Sequence, residues 1–136
     1  MKLNKVSFDY DGTLALPNIE SYCKELIDRG NIEVWVVTSR VSDETIDKTF
    51  QPWKKPNWNK DLWETCERLN IPKERVIFTE HVDKIEYLRG KDFVFHLDDD
   101  IYELMEILES EDKCIPINVG HYNWREHCED AISDIN

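Results

Sequence analysis

The sequence predicts a three-layer α/β domain: a five-stranded, mainly parallel sheet with helices on both faces. Three observations carry this expectation. Short apolar runs alternate with longer segments of helical periodicity from residue 5 to residue 132, the pattern of successive strand–helix units. The runs at 33–38 and 93–97 hold apolar residues at successive positions, as strands covered on both faces do. The 136 residues, 40% hydrophobic with five Trp, suit one domain spanning 1–136 with a sizeable core.

The elements follow in order. Residues 5–9 read as the first strand, and Gly12 gives the freedom for a sharp exit from it. Asn18 is placed to cap a helix whose apolar residues Ile19, Tyr22, Cys23, Leu26 and Ile27 fall on one face, with Gly30 as its stop. Residues 33–38 form the second strand, and Ser42 or Asp43 starts a short helix carrying Ile46 and Phe50. Pro52 and Pro56 make 51–58 a loop; the helix after it turns Leu62, Trp63, Cys66 and Leu69 inward and ends at Pro72. Residues 75–78 form the third strand, 83–89 a short helix and 93–97 the fourth strand. The next helix, capped by Asp99 or Asp100, is expected to bury Ile101, Leu104, Met105 and Leu108. Pro116 suits an edge position for a fifth strand at 115–119. A last helix carries Tyr122, Trp124, Cys128 and Ile132. This is a Rossmann-like succession, and such sheets bind ligands beyond the carboxyl ends of their strands. Asp9, Thr38 and Asp98 each fall at such an end.

Composition narrows the partners. A net charge of -12 disfavours extended binding to nucleic acid or anionic membranes, while leaving room for local recognition of one phosphate. No apolar stretch approaches the roughly 18 residues of a membrane span. Met1-Lys2-Leu3-Asn4-Lys5 runs straight into the first strand and leaves no room for a secretory signal, so a cytoplasmic, monomeric protein is expected. Cys23, Cys66, Cys114 and Cys128 are scattered without a Cys-x-x-Cys pair and read as core thiols. His121 and His127 beside Cys128 are the one alternative cluster for zinc.

The chemistry concentrates in Asp9-Tyr10-Asp11-Gly12-Thr13. Side chains alternate along a strand, so Asp9 and Asp11 are expected to project the same way. Two carboxylates about 4 Å apart repel by roughly 4 kcal/mol at an effective dielectric near 20. A cation must offset them, or one must stay protonated. Asp, Gly and Thr are also turn residues, and a plain surface turn is the alternative reading.

Further motifs follow in order. Glu33-Val34-Trp35-Val36-Val37-Thr38-Ser39-Arg40 is an apolar strand ending in hydroxyl residues, and Phe93-Val94-Phe95-His96-Leu97-Asp98-Asp99 is one ending in paired aspartates. With Lys84 between them, this succession resembles the four motifs of haloacid dehalogenase-like phosphohydrolases over residues 5 to about 100. The resemblance implies a phosphatase with Asp9 as nucleophile, forming an aspartyl-phosphate, and Asp11 as the acid that protonates the leaving alkoxide and later deprotonates water. It implies Thr38 and Lys84 on the phosphate, with Lys73 and Lys91 as competitors for the lysine's role. Mg²⁺ is the natural neutraliser of clustered carboxylates; the resemblance gives it Asp9, the Asp11 backbone carbonyl, Asp98 and Asp99, with Asp100 blurring the register by one. Gly12, Thr13, Ser39 and Arg40 complete the expected substrate-binding set. Arg40 also parallels an Arg of the phosphatase part of polynucleotide kinase-phosphatases, keeping nucleotide and nucleic-acid-end phosphates among the small phosphorylated substrates to consider.

Only residues 12–37 separate Asp11 from Thr38, and only 85–97 separate Lys84 from Asp98. Neither interval holds a large cap, so the chain resembles the compact, nearly capless members. In the loop at 51–60, packing over neighbouring helices is the favoured role for Trp53 and Trp58, with base stacking beside Lys54 and Lys55 as the alternative. His121, Tyr122 and Asn123 are further candidates for the rim. Two other classes compete: a catalytically idle binding protein on the same scaffold, and a receiver-like phosphoacceptor domain.

Overall fold

Five parallel strands lie in the order β3-β2-β1-β4-β5 in the computed structural model, which describes residues 3–135. They are β1 (Asn4–Phe8), β2 (Ile32–Thr38), β3 (Val76–Phe78), β4 (Phe93–Asp98) and β5 (Ile115–Asn118). Met1 and Lys2 of the lead-in segment lie outside the described residues. The central strand β1 pairs with β2 on one side and with β4 on the other. Strand order therefore reverses between β1 and β4, and a crevice opens there at the carboxyl ends. Pro116 sits in the edge strand β5, where its missing N–H is tolerated.

Alternation along the strands feeds two helix layers. Val6, Phe8, Val34 and Val36 pack against α1 (Pro17–Asp28), α3 (Lys60–Leu69) and α6 (Trp124–Ser133), which contribute Tyr22, Leu26, Leu62, Cys66, Cys128 and others. The opposite face presents Trp35 and Val37 to Ile85 and Leu88 of α4 (Ile85–Leu88) and Ile107 of α5 (Ile101–Glu109). The expected three-layer α/β architecture is thus present. All four thiols are free and buried. Among the described residues, no helix is long and apolar enough to cross a membrane.

Several local expectations are corrected. The first helix begins at Pro17, after Leu16 rather than Asn18, because proline's fixed φ and missing N–H suit the first helical position. α2 (Asp43–Thr49) starts as expected, with the Ser42 hydroxyl accepting from the Thr45 N–H. α3 stops at Asn70, not Pro72: Asn70 takes the left-handed conformation at φ 58°, which asparagine tolerates better than most side chains. α5 buries Leu104 and Ile107 and leaves Ile101, Met105 and Leu108 exposed. The reason is the thin layer on this face: α4 has one turn, so nothing flanks α5 to cover the rest of its apolar residues.

These faces predict different costs. Ile107→Ala removes a fully buried side chain and should lower unfolding free energy by about 2–5 kcal/mol, whereas Leu108→Ala should stay within about 0.5 kcal/mol. Urea denaturation of both variants measures the contrast; equal losses would contradict the assigned helix face.

Candidate active site

Asp9 follows the last residue of β1, and Asp98 ends β4. Phe8 pairs with Leu97 in the parallel ladder, so the chain delivers both aspartates side by side to the crevice. Both are buried, and between them lies the buried Lys84 ammonium, 2.8 Å from Asp9 Oδ1 and 2.7 Å from Asp98 Oδ2. Lys84 is fixed from behind, its backbone N–H donating to Glu103 Oε2 of α5 at 2.8 Å. Lys73 and Lys91 are exposed and stand elsewhere.

Burial, reinforced by the charge of Asp98, raises the Asp9 carboxyl well above the ordinary range despite Lys84. Burial also pushes Asp98 upward, but the His96 hydrogen bond and Lys84 outweigh it and hold Asp98 low. Burial depresses Lys84 too, and the two carboxylates more than reverse this. Complete burial lowers the proton affinity of His96, against the pull of Asp98. Its Nε2 lies 2.7 Å from Asp98 Oδ2, and its Nδ1 lies 2.7 Å from the Ser7 hydroxyl oxygen. The sequence reading missed His96 and Ser7. The signal was available: each is a polar residue two positions before a site aspartate, hence on the same strand face.

Asp99 adds a third carboxylate. One oxygen from each of Asp9, Asp98 and Asp99 lies within 4.8 Å of the others. Three carboxyl groups thus stand against one ammonium. Asp99 reaches this position by lying over Gly12, whose φ is 73° and where any Cβ would collide with the Asp99 carboxylate. Asp100 is separate: it caps α5, accepting from the Tyr102 N–H at 3.0 Å.

Asp11 opens onto the same cleft as Asp9 but does not join its carboxylate cluster. After β1 the chain makes one wide helical turn (Tyr10–Leu14), and the extended Asp11 and left-handed Gly12 within it redirect the side chain. Its carboxylate, more than half exposed, accepts from Arg40 Nη2 at 2.7 Å and Nε at 2.9 Å. Arg40 also donates to both Asp61 oxygens and to the Trp58 carbonyl. These five bonds engage all five guanidinium N–H groups. The two acidic groups that opened the sequence argument thus each have their own cation, and Asp61 is a partner the sequence reading did not name.

Asp9, Asp11, Gly12, Ser39, Lys84, Asp98 and Asp99 line one open cleft of about 370 Å³, with Asp100 at its margin. Thr13 sits below, its hydroxyl 3.4 Å from Asp9 Oδ2. Thr38 is fully buried at the end of β2, and its hydroxyl accepts from the Arg40 N–H at 3.3 Å; Ser39 is the residue on the wall. His121 instead lines a separate cleft beside β5, and Tyr122 is solvent-exposed, so neither joins this rim. The His121 and His127 rings stand 5.4 Å apart, while Cys128 is buried in the core; they form no metal cluster among the described residues. Trp53 and Trp58 are 76% and 56% exposed, which overturns the expectation that both pack over helices.

No family model matches the chain, and no curated protein or solved structure matches it.

Lys84 is the single cation between two buried carboxylates, so Lys84→Met should destabilise the fold by about 3–5 kcal/mol near neutral pH. Asp9 binds more protons folded than unfolded, so its contribution to stability falls as pH rises from the ordinary carboxylate range through its raised value. Without the ammonium this dependence steepens, and the variant's deficit should shrink on acidification. Urea midpoints across that range test it; a deficit independent of pH would refute the electrostatic account.

Proposed function

We propose that this protein is a phosphomonoesterase that hydrolyses a small phosphorylated substrate through an aspartyl-phosphate on Asp9. The observation that carries the reading is the meeting of Asp9, Asp98 and Lys84 at the switch point of the sheet. Buried ion pairs at 2.8 and 2.7 Å there leave an excess of negative charge. A structural ion pair needs one carboxylate per ammonium; three suggest a site that also takes a cation.

The donor set fits Mg²⁺: hard carboxyl oxygens, within reach of one another, outnumbering the one ammonium among them. Asp9, Asp98, Asp99 and the Asp11 backbone carbonyl would hold it, and when bound it supplies positive charge at the phosphoryl oxygens and the nucleophile. The protein's own groups do the rest. An Asp9 carboxylate oxygen attacks phosphorus as the ester P–O bond breaks. Lys84 favours the ionised form of Asp9 against the burial that opposes it, and meets the charge on the transferring group. Asp11, exposed at the mouth, gives its proton to the leaving oxygen and takes one from the water that then cleaves the acyl phosphate. Arg40 limits where Asp11 swings. Ser39 and the backbone beside it offer donors to the phosphoryl oxygens.

Turnover of a phosphate-ester panel with Mg²⁺ tests the assignment. Asp9→Asn should lose at least about a thousandfold in kcat, and EDTA should abolish activity of the wild-type chain. Asp11→Asn should retain slow turnover, down about 10²–10⁴-fold, with phosphoenzyme trapped on Asp9 and visible by mass spectrometry. Undiminished activity in Asp9→Asn would rule out the nucleophile.

A further inference from the structure

A second cleft, of about 420 Å³, adjoins the catalytic one and is lined by Arg40, Val41, Trp58, Asn59 and His81. An ion pair links the two clefts: Arg40 lines this one, and Asp11, which it holds, lines the other. The guanidinium that holds Asp11 on the catalytic side also holds the Trp58 carbonyl, at 2.9 Å, on the other. The Trp58 indole is thereby tied to the rim through its own backbone, and it meets Phe50 in a T-shaped contact with ring centroids 5.7 Å apart. The ring is still 56% exposed, although indole is among the side chains that gain most from burial.

The floor of this cleft is polar. Asn59 is buried and its Nδ2 donates to the Val41 carbonyl at 2.9 Å and to Asp43 at 2.8 Å, which fixes the amide orientation. Its Oδ1 has no partner. An unpartnered buried acceptor costs free energy until a donor reaches it. The opposite wall is rigid. Glu80 and His81 are consecutive left-handed residues, at φ 52° and 70°, and their N–H groups donate to the Arg40 and Ser39 carbonyls. Two such residues in a row persist only where surrounding bonds impose them.

We propose that this cleft binds the nucleoside half of a nucleoside monophosphate, with the base stacked on Trp58 and a donor group of the nucleoside toward Asn59 Oδ1. This rests on the phosphatase reading, of which it names the leaving group. A flat ring with N–H groups at its edge satisfies both the exposed indole face and the unmet acceptor; an aliphatic alcohol or a plain phenyl ring satisfies at most one. The charges select a monophosphate over a polyanion. All five N–H groups of Arg40 are engaged by protein acceptors, Lys55 is paired with Asp47, and the chain carries a net charge of -12.

The test compares turnover, with Mg²⁺, of 5′- and 3′-nucleoside monophosphates, glycerol phosphate and a 3′-phosphorylated oligonucleotide. Wild-type kcat/KM should favour a mononucleotide over glycerol phosphate by about tenfold or more, the size of one base stack. Trp58→Ala should raise KM for that nucleotide about tenfold, more than for glycerol phosphate, with kcat moved little, and Trp58→Phe should restore most of it. Trp53→Ala, outside the cleft, should change neither substrate. Equal preference for glycerol phosphate, or a KM indifferent to Trp58, overturns the proposal while leaving the phosphatase reading intact. A preference for the oligonucleotide overturns the choice of a small substrate. If no ester is turned over, the phosphatase reading fails; calorimetric titration of the same nucleotide into the wild type and Trp58→Ala then decides the cleft alone, for it if binding depends on Trp58 and against it if not.

Discussion

Two buried carboxylates delivered by neighbouring strands and sharing one ammonium set the terms for everything around them. The pairing of Phe8 with Leu97 makes Asp9 and Asp98 meet as a matter of register, and burial takes away the water that would screen them. At close range the repulsion is worth several kcal/mol, against about 0–1 kcal/mol for an exposed pair such as Lys24–Asp28. The fold answers with converging supports. Lys84 comes from the start of α4, Glu103 of α5 holds the Lys84 backbone, and His96, backed by Ser7, hydrogen-bonds Asp98. The helix layer on that face is thin, but it is pinned where the charge is greatest.

Arg40 organises the other half of the rim. It draws Asp11 from the turn after β1, Asp61 from the first turn of α3 and the Trp58 carbonyl from the long loop onto one planar group, and its guanidinium lies 4.9 Å from the Tyr10 ring centroid. The acidic residues on it raise its proton affinity and keep it charged. The loop between β2 and β3 is thereby built into the rim, and the space beside Trp58 is tied to the acidic cleft through Arg40. With Arg40 saturated, direct positive charge for an incoming anion has to come from Lys84 or from a bound cation.

Much of this was legible in the residues. Strand runs and helical faces gave the architecture because their periodicities, near 2 and 3.6, are strong over their length, and polar residues closing apolar runs marked Asp9 and Asp98 as cleft positions and brought Thr38 to within one residue of it. What escaped depended on surroundings. An apolar stripe marks the residues a helix is able to bury; whether Met105 and Leu108 are covered depends on the size of the layer beside them, which no local pattern states. The direction of Asp11 turned on one wide turn after the strand, and its partner Asp61 lies far away in sequence. Asn70 ends α3 in a conformation more familiar for glycine, so the proline two residues later drew the boundary wrongly. His96 stood in plain view between apolar neighbours, and alternation alone places it on the face of Asp98.

The order of the strands also bears on how the molecule comes into being. As the chain emerges from the ribosome, β1, β2 and β3 have all appeared by residue 78, yet one side of β1 has no neighbour until β4 arrives. An open edge of this kind is a place where other chains attach. Docking of β4 seals that edge and, in the same movement, carries Asp98 to Asp9. Nascent fragments that stop short of β4 therefore lack both the second neighbour of the central strand and the Asp9–Asp98 pair, and assembly of that buried cluster coincides with the covering of the β1 edge.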